Sequence, residues 1–435
     1  MKKRIAIALS IVFLFTAACN NESNNNEEKQ NKGDTPRYTF ATWAVGEELS
    51  QLNEIVDELN SEAQGKYEII VDSYPSDYYI KLATNIAANN SPDFYWLTQE
   101  LISKYADLGS IAEITDLLEN SSKIPASDFY PGVIDTAEYE DKYYGVPWIA
   151  NPLIVYYNQD LFDEVNVDYP AQDSTWTWDD FIETAKKLTI EQEDSLGNTY
   201  QQYGYIVDGW PNIETFIWAG GGDIIAEDGE TIVLDANESI EGLDILHEIL
   251  SSGITPPYQE VGSLGSNNVW FEEQRVAMFM GGIQDNFEEK LNKLPEEERF
   301  NIGYAPMPKC ADGTQSAFNW TASTVIDKSL EGDEKVFSAV EDLSLKIFDW
   351  KVAPPIKDTV EKVSKIDPYK DEALETIEIS LNNARSANYI PEWNEINDML
   401  WLRLYNPMLL DPNGFDYESE AKVIAEESRA IIDER

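Results

Sequence analysis

The stretch 143–162, which reads YYGVPWIANPLIVYYNQDLF, constrains the fold more than any other part of the sequence. Its beginning, 143–148, is aromatic and contains a glycine and a proline, which disfavour a helix and favour a turn or a sheet edge. The run 153–157 is apolar, β-branched and aromatic, which indicates a buried strand. Asn158 then provides a side-chain cap for the start of a helix. An aromatic bend that leads into a core strand indicates a passage between two lobes.

The chain before this stretch alternates between strand patterns and helix patterns. Strands are predicted at 38–43, 67–71 and 94–97, and the segments between them carry apolar residues every three or four positions, as amphipathic helices do. This βαβ rhythm predicts a parallel sheet. Ligands of such sheets bind beyond the carboxyl ends of the strands, and Trp43 and Trp96 fall at those ends.

The same rhythm continues after the stretch, in a second unit. Thr177 and Asp180 form a variant of the capping box at the start of a helix. The segment 216–223 reads as a helix that ends in glycines, and the segment 276–282 reads as a buried strand that also ends in glycines. No Lys-Ser or Lys-Thr pair follows the first glycine run, so it is not a phosphate-binding loop.

Residues 1–19 have the features of a secretory targeting signal. Three basic residues precede an apolar run, 5–15, which is too short to span a bilayer. Cys19 follows two alanines, and residues 20–36 are polar and are expected to form a flexible tether. An ordinary secretory signal with a nearby cysteine is the alternative to a lipidated Cys19. No later segment has the length and apolarity of a membrane-spanning helix.

The charge of the chain excludes several classes of partner. The 435 residues carry a net charge of −50, and removal of the three basic residues at positions 2–4 with the signal would make it −53 (−50 minus 3). Nucleic acid binding is excluded because like charge repels phosphate, and anionic ligands are disfavoured for the same reason. The acidic residues are dispersed, which indicates a solvated surface, and adaptation to salty or alkaline surroundings is a hypothesis consistent with it.

Few residues are suited to metal binding or to nucleophilic catalysis. The chain has two cysteines and one histidine. A lipidated Cys19 leaves Cys310 without a disulfide partner. His247 lies in a helical pattern, where a surface position is expected, so zinc and Ser-His mechanisms lack their residues. We therefore expect no catalytic residue, no metal and no cofactor.

The motifs together resemble the bacterial extracellular solute-binding proteins of ABC sugar transporters (family 1, similar to maltose-binding protein). The resemblance rests on the order and spacing of YGVPW, YYN and LF within 143–162, TWDDF at 177–181, YGYI at 203–206, FIWAGGGD at 216–223, VAMFMGG at 276–282, IGYAPMP at 302–308, FNW at 318–320 and ARSANYIPEW at 384–393. The context of Cys19 resembles the lipidation motif of bacterial lipoproteins, with Thr16 where Leu is usual. Gln284 stands where the family often has Trp.

The resemblance implies an α/β fold with two lobes, the type II periplasmic-binding-protein-like fold. Each lobe would be a mostly parallel sheet flanked by helices, with the ligand cleft between the lobes. The implied first lobe comprises 37–150 and 303–329, and the implied second lobe comprises 151–302 and 330–435. The chain is expected to be a monomer.

Sugar recognition needs aromatic rings for the C–H faces of the sugar and polar groups for its hydroxyls. Aromatic residues form 12% of this chain. The candidate ligand contacts, chosen at strand ends and in glycine- and proline-rich loops, are Trp43, Asp93, Trp96, Trp148, Asn151, Trp218, Asn319, Trp320 and Arg385. Core packing is the alternative for Trp43, Trp96 and Trp218, a turn cap is the alternative for Asp93, and pairing with an acidic residue is the alternative for Arg385. Three further tryptophans, Trp178, Trp350 and Trp401, are interpreted as helix-packing residues.

The implied function is a receptor anchored by lipid on Cys19 at the extracellular face of the membrane. It would bind a neutral sugar or oligosaccharide by lobe closure and deliver it to the permease subunits of an ABC transporter. One alternative keeps the fold and changes the ligand to a polyamine, a peptide or an osmolyte. A second is a secreted glycoside hydrolase, which needs a pair of carboxylates, but 81 acidic residues make such pairs inevitable.

Overall fold

A computed structural model describes residues 35–172, 175–193, 196–351 and 353–434. The targeting signal, Cys19 and nearly all of the predicted tether lie outside the described residues. The strands are β1 (Arg37–Thr42), β2 (Glu68–Ser73), β3 (Phe94–Thr98), β4 (Glu138–Tyr139), β5 (Lys142–Tyr143), β6 (Gly145–Asn158), β7 (Ile190–Glu193), β8 (Thr199–Gln202), β9 (Met278–Gly282), β10 (Ile302–Ala305), β11 (Ala317–Ile326) and β12 (Ala384–Arg385).

The helices lie between and around these strands. They are α1 (Gly46–Glu62), α2 (Tyr78–Ala87), α3 (Gln99–Asp107), α4 (Thr115–Glu119), α5 (Pro131–Ile134), α6 (Gln159–Val165), α7 (Trp178–Lys187), α8 (Ile213–Ala219), α9 (Asn237–Ser251), α10 (Tyr258–Val261), α11 (Asn267–Glu272), α12 (Phe287–Asn292), α13 (Glu334–Phe348), α14 (Glu361–Ile366), α15 (Leu374–Asn382), α16 (Trp393–Met399), α17 (Asn406–Leu410) and α18 (Tyr417–Asp433). Short 3-10 helices include Pro368–Ala373, and Leu400–Tyr405 is a π-helix.

One mixed sheet runs through the molecule. Its main order is β10-β6-β11-β3-β1-β2, with β9 paired to β6 and β12 paired to β11. Strands β1, β2 and β3 pair in parallel, as the βαβ rhythm predicts. The long strands β6 and β11 run antiparallel to each other, β11 is also antiparallel to β3, and β6 to β9 and β10. The α/β class is confirmed, and every antiparallel pair within this sheet contains β6 or β11, while β4-β5 and β7-β8 form two separate antiparallel pairs.

Strand β6 connects the two lobes, as the bend and strand in 143–162 predict. Its first part, 145–152, pairs with β11, whereas its second part, 153–158, pairs with β9 and β10. Val146 and Trp148 join the hydrophobic core of β1 and β3. Val155 joins a second core that contains residues of α7, α8 and α9, whereas its neighbours Ile154 and Tyr156, on the other face of the strand, join the first core. We call the part built on β1–β3 the first lobe and the part built on β9, β10 and α7–α9 the second lobe.

Helix α13 lies in the first lobe, whereas the sequence predicts it in the second lobe. The segment 330–435 was expected in the second lobe, but α13 packs against α1, β6 and β11. The Lys346 ammonium on α13 lies 3.0 Å from the Glu62 carboxylate on α1. The apolar face of α13 packs in the core that contains β1 and β3, so this helix belongs with the first lobe. Strand β10, at the start of the segment 303–329, pairs with the second part of β6 and so lies with the second lobe.

Within the described part of the chain, no helix combines the length and the apolarity that crossing a membrane requires.

Candidate functional site

A cavity of about 630 Å³ opens beside the middle of β6. Its wall is assembled from segments that are far apart in the sequence. They are the loop 208–210 between β8 and α8, the start of α11, the end of β9 and the π-helix. We call it the Asn151 cavity. It is lined by Asn151, Asp208, Gly209, Trp210, Asn267, Asn268, Phe279, Gly282, Asp285 and Trp401.

Asn151 lies in β6 next to the point where the strand exchanges β11 for β9 and β10. Its amide oxygen accepts a hydrogen bond of 3.2 Å from the Gln284 backbone N–H. Gly282, the last residue of β9, lies against the Asn151 side chain, and a Cβ atom at Gly282 would lie 2.4 Å from Asn151 Nδ2. Only glycine therefore leaves room for the Asn151 side chain at this position. Of the predicted ligand contacts, Asn151 is the one among the lining residues of this cavity.

Two tryptophans and Phe279 supply the aromatic surface of the Asn151 cavity. Trp401 lies in the π-helix and is 37% exposed. Its ring packs against Gly209, where φ is +109° and a Cβ atom would lie 2.7 Å from the ring. Trp210 follows Gly209 and is half-buried. Trp401 packs on Tyr405 of its own helix, as expected, and its partly exposed ring also lines the cavity, which the sequence did not indicate.

Carboxylates and amides supply the polar surface. Asp208 Oδ1 accepts hydrogen bonds from Asn267 Nδ2 at 3.0 Å and from the Trp210 backbone N–H at 3.3 Å. Burial raises the pKa of the Asp208 carboxyl, and these hydrogen bonds oppose the rise. Burial raises the pKa of Asp285 to about 6, although the nearby Lys370 ammonium lowers it. No lysine, arginine or histidine is among the described residues that line the cavity.

Trp320 lies beside the Asn151 cavity. It pairs with Asn151 across strands β11 and β6, and residues opposite each other in an antiparallel pair have their side chains on the same face of the sheet. Trp320 is half-buried and packs against both hydrophobic cores. The structure therefore brings together two of the predicted residues, Trp320 and Asn151.

Trp43, Trp96 and Trp148 form a cluster in the first lobe. The rings of Trp96 and Trp148 stack with centroids 4.3 Å apart, and Trp43 lies 5.1 Å from Trp96. Trp148 is the extra residue of a β-bulge in β6, since Ile149 pairs with Ala322 and Pro147 pairs with Ser323. Trp96 and Trp148 are 0% and 2% exposed, so both side chains pack in the core in this structure and neither lines the Asn151 cavity. Trp43 remains half-buried at the carboxyl end of β1.

Trp218 and Arg385 form a cluster with Asp223 in the second lobe. Trp218 is 0% exposed, and its indole N–H donates to Asp223 Oδ1 at 3.2 Å. The Arg385 guanidinium lies 4.5 Å over the Trp218 ring and 2.8 Å from Asp223 Oδ2. The predicted ligand roles of Trp218 and Arg385 are corrected by these contacts, which use the ring and the charge within the protein.

Asp93 and Asn319 are also used within the fold. Asp93 precedes β3, and its carboxylate accepts from the Thr39 backbone N–H at 2.6 Å and from the Thr39 hydroxyl at 2.8 Å. It therefore joins β3 to β1 at the end of the strands opposite to Trp43 and Trp96. Asn319 is 0% exposed, and its amide donates to the Thr321 hydroxyl at 2.6 Å. Both predicted ligand roles are corrected.

Several cavity residues were not found by sequence reasoning. Trp210 stands between Gly209 and Pro211, the same combination of aromatic residue, glycine and proline that singled out Trp148, so a signal for it was present. Asp208, Asn267, Phe279 and Asp285 carry no such signal, because their common position depends on the tertiary fold. No group of three or more metal-binding side chains occurs among the described residues.

Comparison with known proteins places the chain in a family. Residues 54–335, more than half of the chain, match the family described as bacterial extracellular solute-binding proteins. A Brucella abortus relative named as a binding protein is 26% identical over 337 residues, which span 73% of this chain and 75% of the relative. An arabinooligosaccharide-binding protein of Halalkalibacterium halodurans is 27% identical over 218 residues, 48% of this chain and 45% of that protein.

A solved structure agrees on the architecture. The sugar-binding protein MalE of the phytopathogen Xanthomonas citri superimposes with a TM-score of 0.75 at 20% identity, over 92% of this chain and 98% of that one. This likeness shows the two-lobe fold. Together with the family match, it establishes that the chain belongs to the bacterial extracellular solute-binding proteins.

Proposed function

We propose that the chain is the carbohydrate receptor of an ABC importer. It binds a neutral sugar or oligosaccharide in the Asn151 cavity and delivers it to the permease subunits. Lipid on Cys19 holds it at the extracellular face of the membrane, and the chain works as a monomer. The observation that carries the proposal is the composition of the cavity wall, which joins two tryptophan rings to amides and carboxylates.

The chemistry of a sugar fits this wall. The rings of Trp210 and Trp401 offer flat apolar surfaces against which the C–H faces of a sugar ring can stack. The amides of Asn151 and Asn267 both donate and accept hydrogen bonds, and the carboxylates of Asp208 and Asp285 accept them from hydroxyl groups. The lack of a basic residue among the described lining residues disfavours an anionic ligand.

The similar proteins support the same class of ligand. The relative from Halalkalibacterium halodurans is named for arabinooligosaccharides, and the Xanthomonas citri structure is that of a sugar-binding protein. Strands β6 and β11 are the connections about which the lobes would close over the ligand. In this proposal the protein releases its ligand unchanged and catalyses no reaction.

A cationic solute such as a polyamine is the second candidate. The sequence pointed to a mostly aromatic cleft, but the cavity also contains the two carboxylates of Asp208 and Asp285. An ammonium group between carboxylates and aromatic faces would be bound by charge and by cation–π attraction.

A thermal-shift panel on the protein without residues 1–36 tests both candidates. The panel contains neutral mono- and oligosaccharides, polyamines and short peptides. A ligand that binds only the folded state raises the melting temperature by mass action, and we expect the rise with a neutral carbohydrate. A rise with polyamines alone would contradict the carbohydrate proposal, and consumption of the sugar during long incubation would contradict a pure binding function.

A further inference from the structure

The ammonium group of Lys370 is buried between the second part of β6 and α12. Lys370 is 1% exposed, and its Nζ atom lies 2.9 Å from both carboxylate oxygens of Glu288 and 3.0 Å from the Tyr156 hydroxyl. It also donates to the backbone carbonyl of Asp285. Three acceptor groups thus match the three N–H donors of the ammonium. A buried charge is tolerated only when it is paired in this way.

The partners of Lys370 lead directly to the wall of the Asn151 cavity. Asp285, whose carbonyl it binds, is a lining residue. Tyr156, whose hydroxyl accepts from Lys370, donates to the Gly282 carbonyl at 2.9 Å, and Gly282 is a lining residue as well. The ammonium is therefore one hydrogen bond from Asp285 and two hydrogen bonds from Gly282.

Lys370 also belongs to a segment that is bonded to the first lobe. It lies in the 3-10 helix Pro368–Ala373, which α15 follows. Upstream of it, the Ala353 carbonyl accepts from the Ala150 backbone N–H at 3.1 Å, and the Pro355 carbonyl accepts from the Tyr130 backbone N–H at 3.2 Å. Helix α15 packs on β6. The segment thus connects backbone of the first lobe with a wall of the cavity.

We propose that Lys370 is a positioning residue of the binding site, which holds Gly282 and Asp285 in the geometry that binds ligand and links them to the first lobe. The proposal rests on the proposed function, because it needs a ligand in the Asn151 cavity. Lys370 does not line the cavity, so its effect on affinity passes through the backbone of the two lining residues and not through contact with the ligand.

The test separates positioning from stability. The ligand is the panel solute that raises the melting temperature of the wild type, and its Kd is measured by calorimetry at a temperature where every variant is folded. Lys370→Met should lower the melting temperature, since it leaves the Glu288 carboxylate buried with the Tyr304 hydroxyl but without its cationic partner, and it should weaken binding at least tenfold, since Asp285 and Gly282 lose their link to the ammonium. The double variant Lys370→Met/Glu288→Leu removes both charges, so its melting temperature should rise again, whereas binding should stay at least tenfold weaker.

A control and a second variant complete the test. Lys346→Met breaks an ion pair with Glu62 on the surface of the first lobe and should leave the Kd unchanged. Tyr156→Phe removes the hydroxyl that joins Lys370 to Gly282 and should weaken binding several-fold while the protein stays folded.

Four results would contradict the proposal. If the double variant regains both the melting temperature and a Kd within twofold of the wild type, Lys370 is only half of an ion pair. If the Lys370 variants do not fold, an unchanged Kd of Tyr156→Phe overturns it instead. A panel without any binder would contradict the proposed function and this inference together, whereas wild-type binding with unaffected variants contradicts the inference alone.

Discussion

Glu214 carries an almost completely buried carboxyl group. It lies in α8 and is 2% exposed. Burial raises the pKa of Glu214 to about 7, a hydrogen bond from the Asn212 side chain lowers it, and the charge of Asp223 raises it. Burial of the ionised form therefore destabilises the folded state relative to the unfolded state, where the carboxyl is solvated.

This burial predicts how stability depends on pH. Between the ordinary pKa of 4.5 and the folded value of about 7, the folded chain keeps a proton that the unfolded chain has released. The contribution of Glu214 to the free energy of unfolding therefore falls as the pH rises, by about 3 kcal/mol in total. Relative to Glu214→Gln, the wild type should lose about that much stability between pH 4.5 and pH 8 in urea unfolding.

The control for this prediction is Glu334→Gln, which removes a carboxylate from the exposed first turn of α13. The stability gap between this variant and the wild type should not change in the same direction. A gap between Glu214→Gln and the wild type that stays constant with pH would show that Glu214 is ionised in the folded protein.

At the scale of elements, the start of α7 is fixed by a local signal that can be recognised in the sequence. The Thr177 side chain accepts from the Asp180 backbone N–H, and the Asp180 side chain accepts from the Thr177 backbone N–H, so the predicted capping box is present. The alternation of strands and helices from β1 to β3 can be predicted for the same reason, because apolar periodicity depends on neighbours within a few residues.

The capping box gives a prediction for one element. Thr177→Ala should lower the free energy of unfolding by about 1 kcal/mol, since the first turn of α7 loses a side-chain acceptor. Ser266→Ala is the matched control, because Ser266 holds the same N-cap position of α11 without a side-chain cap bond. Chemical denaturation of the two variants should therefore separate them, and equal losses would mean that the Thr177 cap contributes nothing measurable.

The features that sequence reasoning missed are those that depend on distant contacts. Helix α13 was assigned to the wrong lobe because its periodicity shows an apolar face but not the core that the face fills. Trp96, Trp148 and Trp218 stand at strand ends or beside glycines as ligand contacts would, yet they are buried. Trp401 shows a different case, since a tryptophan that was expected only to pack its helix also lines the cavity.

At the scale of the whole molecule, two long strands and one segment join the lobes. Strands β6 and β11 cross between them, and the segment with Lys370 bonds to both. The Asn151 cavity lies against the middle of β6, so ligand bound there would touch the connection about which the lobes move. In the proposed function, recognition and closure would thus be coupled at one place in the chain.

The central claim is that the Asn151 cavity binds a carbohydrate, and calorimetric titration of Trp401→Ala with the carbohydrate found in the panel tests it most directly. We expect the Kd to rise about tenfold or more, because an aromatic stacking surface is lost. The control is Trp350→Ala, which removes a tryptophan of the first lobe whose indole N–H binds Gln51, and its Kd should match that of the wild type. An unchanged Kd for Trp401→Ala would contradict the account, since the sugar would then bind elsewhere.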